Sequence, residues 1–150
     1  MIVWSGEDRP AAGATRGQPG SGEDRRSAIP RPILVVDDDV SILETVRTIL
    51  ESEGYRVVTA ANGRDALEIL ERVTPFLMLL DMRMPVLDGW GVATALRESK
   101  HQFPVVVMTA AESAKRWADE IKADGHLAKP FDLEDLLECV ARHERRGRVH

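Results

Sequence analysis

Apolar and polar residues follow two different rhythms along this chain, and the switches between them mark its elements. "ILVV" from Ile33 is a short unbroken apolar run, as in a strand covered on both faces. In "VSILETVRTILESEG", Val40, Leu43, Val46, Ile49 and Leu50 recur at helical spacing, and Gly54 marks the stop. "YRVVTA" and "NGRDALEILERV" repeat the pair, the second with Ala66, Leu67, Ile69 and Leu70 on its apolar face. "FLMLL" predicts a third strand and the Gly89–Lys100 region a third helix, followed by "PVVVMTA" and a helix over Glu112–Asp124. "HLA" is a brief fifth strand, and "DLEDLLECVARHER" a closing helix with Leu133, Leu136, Leu137 and Val140 on one face. Such alternation predicts an α/β fold: right-handed crossovers and a parallel sheet with helices on both sides.

Residues 1–31 break this rhythm. "SGEDRPAAGATRGQPGSGEDRRSAIPRP" is rich in Gly, Pro, Ser and charge and has almost nothing to bury, so its ordering entropy would go unrecovered. It reads as a disordered N-terminal extension or an early start, with a docking tail as the alternative; the echoed "SGEDR" is too short for a structural repeat. The folded domain is expected over residues 32–146, with a short basic tail at 147–150. At 150 residues and 43% hydrophobic content the chain can bury one core, and its net charge of -5 argues against a polyanion binder. One cysteine, Cys139, suits a reducing compartment, and its place beside the last apolar stripe gives it a packing role. No apolar run approaches the ~20 residues of a membrane helix. The reading is cytoplasmic.

The acidic residues then acquire a place. In open parallel sheets, ligands bind beyond the carboxyl ends of the strands. The first strand ends in Asp37, Asp38 and Asp39, the third in Asp81, the fourth in Thr109, and Lys129 follows the fifth. Carboxylates gathered there repel one another unless a cation joins them, and hard oxygen ligands without His or Cys favour Mg²⁺. The Thr109 hydroxyl and the Lys129 ammonium suit phosphoryl oxygens, which makes Asp81 a candidate nucleophile for phosphate. Asp39 reads as a helix cap, Asp88 as a turn former, and Met78, Met82, Met84 and Met108 as gap-filling core.

Taken in order, "VVDDD", "LLDMRMPVLDG", "VVVMTA" and "HLAKPFD" closely resemble the receiver domain of bacterial two-component response regulators, over about residues 33 to 145. The resemblance implies a flavodoxin-like, doubly wound five-stranded parallel sheet in the order 2-1-3-4-5 with five helices. It implies Asp81 as phosphoacceptor and Mg²⁺ at Asp38 and Asp81, with Asp37 acting through water and the Arg83 carbonyl as a further ligand. Thr109 and Lys129 would hold the phosphoryl oxygens, and Lys129–Pro130 would be a cis peptide. The implied partners are a sensor histidine kinase or histidine phosphotransfer protein, and a downstream protein on the helix 4–strand 5–helix 5 surface. A homodimer through the fourth and fifth helices stays open. The protein would promote its own aspartyl phosphorylation and dephosphorylation, as a switch rather than an enzyme.

Three features depart from the family pattern. The switch position three residues before Lys129, usually Tyr or Phe, is His126. Lys122 stands where a helix-ending Gly is common, so the fourth helix is expected to end without a left-handed cap. The segment from Thr109 to Lys129 also runs short of the family's usual length. "RGRVH" after the last helix pattern is far below the ~50 residues a further domain needs, so the reading is a stand-alone receiver without a DNA-binding domain. Arg142, Arg145, Arg146 and Arg148 suit a helix C-terminus without invoking nucleic acid. An unphosphorylated binding module of the same fold is the second functional class. A dehalogenase-type phosphatase would want Asp at residue 83, which is Arg.

Overall fold

Strands β1 (Ile33–Val36) and β3 (Leu77–Asp81) are buried at every position, which is what unbroken apolar runs require. The computed structural model describes residues 30–149 and adds β2 (Val57–Ala60), β4 (Val105–Ala110) and β5 (Gly125–Lys129). All pair in parallel, in the order β2-β1-β3-β4-β5. The helices between them are α1 (Val40–Ser52), α2 (Gly63–Leu70), α3 (Gly89–Ser99), α4 (Ala111–Ile121) and α5 (Leu133–Val149). The alternation predicts the parallel sheet with helices on both sides, and the strand order is the doubly wound, flavodoxin-like one that the resemblance implies.

The period of two along each strand splits the core into two layers. Ile33, Val35, Leu77 and Leu79 pack with Leu43, Val46 and Leu50 of α1 and Leu136 and Val140 of α5. Leu34, Val36, Met78 and Leu80 pack with Ala66 and Ile69 of α2, Val92 and Leu96 of α3 and Trp117 of α4. Cys139 is buried in the first layer, and burial pushes its thiol up to about 11, so it is inert packing. The four methionines read as core filler are all buried.

Several expectations need correction. Val40 and Leu133 open their helices and are 63% and 51% exposed, because a first-turn residue lies beyond the edge of the sheet that the later turns cover. The fourth helix ends at Ile121 rather than Asp124, and Lys122 does cap it in the left-handed conformation (φ 58°) without a glycine. Asp124 instead joins the sheet: its amide donates to the Val105 carbonyl and its carboxylate accepts from the Val105 amide, both at 2.8 Å. This lengthens the fifth strand from "HLA" to Gly125–Lys129. The segment expected as a basic tail from 147 is helical through Val149. The leader lies outside the described residues up to Ile29.

Candidate functional site

The sheet reverses its strand order between β1 and β3, and the segments leaving those two strands open a crevice at their carboxyl ends. Asp37 follows β1 and Asp81 ends β3; they are 0% and 5% exposed, while Asp38 is exposed on the rim. Carboxylate oxygens from all three lie within 4.8 Å of one another. The Lys129 ammonium, brought alongside by the pairing of β5 with β4, sits 2.7 Å from Asp37 Oδ2 and 3.7 Å from Asp81 Oδ1. Thr109, buried, ends the inner part of β4 one residue beyond Met108, the register partner of Asp81.

Local backbone structure fixes these positions. Asp39 caps α1, its Oδ1 accepting from the amides of Ser41 and Ile42, and its own amide donates to Asp37 Oδ1 at 2.9 Å. Asp37 is therefore held by an amide on one oxygen and by Lys129 on the other. The Arg83 amide donates to Asp81 Oδ1 at 3.4 Å. Beyond it, Asp88 caps α3 by accepting from the Gly91 amide, which gives this acid a structural task. Gly89 is required by close approach: a Cβ there would lie 2.7 Å from Met82 Cα. The Lys129–Pro130 peptide is cis.

The electrostatics of Asp81 set it apart. Burial, followed by the neighbouring Asp37 charge, raises its pKa from 3.8 to about 6 against the opposing pull of Lys129 and the Arg83 amide. A carboxylate so placed is ionised at neutral pH yet poorly solvated, which suits a nucleophile or a metal ligand. The donor set fits a hard divalent cation: carboxylate oxygens from three residues, with no sulfur or imidazole.

Of the residues singled out in the sequence, Asp37, Asp38, Asp81 and Lys129 come together at this edge, with Thr109 beside them. His126 is exposed on β5, paired in register with Val107, two residues before Thr109 on the neighbouring strand. One arrangement had no sequence signal. The Arg83 guanidinium lies over the Trp117 ring, 5.3 Å from its centroid, and Arg116 lies 5.8 Å from it. Trp117 falls on the apolar stripe of α4 with Ala114, Ala118 and Ile121, but nothing in one dimension ties it to the loop after Asp81.

Known proteins place this geometry. The chain is 42% identical over 111 residues to Response regulator MprA of Mycolicibacterium vanbaalenii, covering 73% of this chain and 48% of that one. It is 37% identical over 121 residues to the alkaline phosphatase synthesis transcriptional regulatory protein PhoP of Bacillus subtilis, covering 79% and 50%. It thus spans about half the length of the curated relatives it matches. The chemotaxis response regulator CheY4 of Vibrio cholerae superposes with a TM-score of 0.70 at 32% identity, over 77% of this chain and 99% of that one. The response regulator TrrA of Thermotoga maritima, solved with Mg²⁺ and beryllofluoride, superposes at 0.67 with 32% identity, over 75% and 98%. Residues 33–141 match the model of the response regulator receiver domain, and with the acidic edge, Thr109 and Lys129 inside that span the chain belongs to that family.

Proposed function

We propose that Asp81 accepts a phosphoryl group from the phosphohistidine of a sensor kinase or phosphotransfer protein, and that the modified domain then changes its protein partners. The observation that carries this reading is the convergence of Asp37, Asp38, Asp81 and Lys129 at one sheet edge. An Asp81 oxygen attacks phosphorus in line, forming a P–O bond as the P–N bond breaks, and the imidazole leaves with the electron pair and takes a proton from solvent. Hydrolysis of the acyl phosphate later returns free phosphate and the carboxylate. Lys129, 3.7 Å from Asp81, turns from Asp37 toward the incoming oxygens, and the Thr109 hydroxyl donates to one of them.

Asp38 and Asp81 directly, Asp37 through water, and the Arg83 carbonyl would hold Mg²⁺. When bound, that ion neutralises the charge gathered on carboxylates and phosphoryl oxygens. The output follows from Thr109: once it turns toward the phosphoryl group, His126 moves inward and the α4–β5–α5 surface changes for a downstream protein. We read the chain as a cytoplasmic single-domain switch. The chemotaxis regulator CheY4, whose chain it spans almost end to end, supports this reading, and among the described residues no helix is long and apolar enough to cross a membrane. The second reading, a receiver governing an effector domain, has in its favour the half-length match to a named transcriptional regulator.

Thermal unfolding tests the site. Millimolar Mg²⁺ should raise the melting temperature by mass action, and beryllofluoride with Mg²⁺ should raise it further. Asp38→Asn should lose most of the Mg²⁺ effect. A wild-type melt indifferent to both additions would contradict the reading.

A further inference from the structure

Arg83 touches the site through its backbone and α4 through its side chain. Its amide donates to Asp81 Oδ1, while its guanidinium lies on the Trp117 face. That ring is fixed: Trp90 meets it edge-on with centroids 5.0 Å apart, and Trp90 Nε1 donates to Glu120 Oε1 at 2.9 Å. Trp117 is nearly buried, whereas Arg83 is exposed and, among the described residues, pairs with no carboxylate. Arg83 is thus a cation two residues from the nucleophile, held by a ring instead of an anion.

We propose that Arg83 is a second cationic partner for the phosphoryl group on Asp81, held on the Trp117 ring until that group arrives. The proposal rests on the phosphoacceptor reading of Asp81. The competition decides its direction. An exposed cation–π contact is weaker than a hydrogen bond between charged groups. A guanidinium free to rotate about its side-chain torsions therefore leaves the indole for a phosphoryl oxygen, which it can engage through two N–H donors. Lys129 does not exclude this second cation, because a phosphoryl group offers three acceptor oxygens and one ammonium does not satisfy them all. The departure also takes a clamp off α4, leaving Arg116, a residue of the same helix, as the cation on the ring among the described residues. Arg83 is a positioning residue for the phosphoryl group and a direct link from it to α4, separate from Thr109 and His126.

The full chain tests this with beryllofluoride and Mg²⁺ as the probe, followed by NMR and by titration. In the free protein the Arg83 Hδ and Nε–H signals should lie upfield, shielded by the indole. Adding the probe should move them downfield. Arg83→Gln should weaken beryllofluoride binding roughly ten-fold, the difference between the two interactions above, and Arg83→Lys should recover part of that loss. Trp117→Phe should tighten binding a few-fold in the wild-type background and have no effect beside Arg83→Gln, the signature of one coupled pair. Arg83 signals that stay upfield in the saturated protein, or a Trp117→Phe effect that survives in Arg83→Gln, would overturn the proposal and leave the phosphoacceptor reading standing. Failure of the wild type to bind the probe at all would overturn both.

Discussion

The two halves of the sheet are built to different standards. Around β1 and β3 every strand residue is buried, and α1, α2 and α3 each begin on a side-chain cap, from Asp39, Asn62 and Asp88. Around β4 and β5 the rules relax. Helix α4 starts on Ala110 with no side-chain cap, and β5 has one buried residue, Leu127. The proposed nucleophile, Asp81, stands on the fully buried, side-chain-capped half, and the groups proposed to carry its signal outward, Trp117 and His126, stand on the less buried one. A phosphoacceptor needs fixed geometry, whereas a switch needs an element with two arrangements of similar energy.

Truncating one leucine in each half gives the largest expected contrast. Leu79→Ala should cost about 4 kcal/mol and Leu127→Ala about 2, both from the same core layer, since cavity cost grows with how little the site can collapse. Denaturant midpoints measure both, and equal losses would erase the distinction.

A smaller effect, of opposite sign, belongs to Asp81. Its folded pKa of about 6 lies above the ordinary 3.8, so between about pH 4 and 6 the folded chain keeps a proton that the unfolded chain has lost. In the absence of metal, stability should fall as pH rises through that window, and the cost persists in full above it. The rise already includes the favourable pull of Lys129, so Asp81→Asn should stabilise the metal-free protein by about 2–3 kcal/mol at pH 7.5 and flatten its profile between pH 4 and 6. An unchanged profile would mean that Asp81 is less buried in charge than its surroundings imply.

The smallest effect lies at the end of α4. A left-handed lysine costs about 1–2 kcal/mol, part of which glycine returns as unfolded-state entropy, so Lys122→Gly should stabilise by about 0.5–1 kcal/mol. A loss on that substitution would show that the lysine side chain holds the cap by contacts of its own.

The fully buried half was also the more legible in sequence. Short unbroken apolar runs that end on acids and alternate with helical patterns read as buried parallel strands, so the fold class and the gathering of Asp37, Asp38 and Asp81 could be read in one dimension, while the strand order came from the family resemblance. Helix ends were harder. Val40 and Leu133 fit the periodicity but fall outside the sheet's cover, and the Lys122 cap follows from the pull of Asp124 into the sheet, a tertiary pairing with Val105. Periodicity did not foresee the buried His143, whose Nδ1 donates to the Cys139 carbonyl within α5. The stacking of Arg83 on Trp117 joins a loop and a helix far apart in sequence, and spacing carries no trace of it.

The central claim is that Asp81 is the phosphoacceptor, and intact-mass measurement after incubation with acetyl phosphate and Mg²⁺ tests it most directly. The wild type should gain the mass of one phosphoryl group, chelation of Mg²⁺ should abolish the gain, and Asp81→Asn should remain unlabelled. Undiminished labelling of Asp81→Asn would contradict the account.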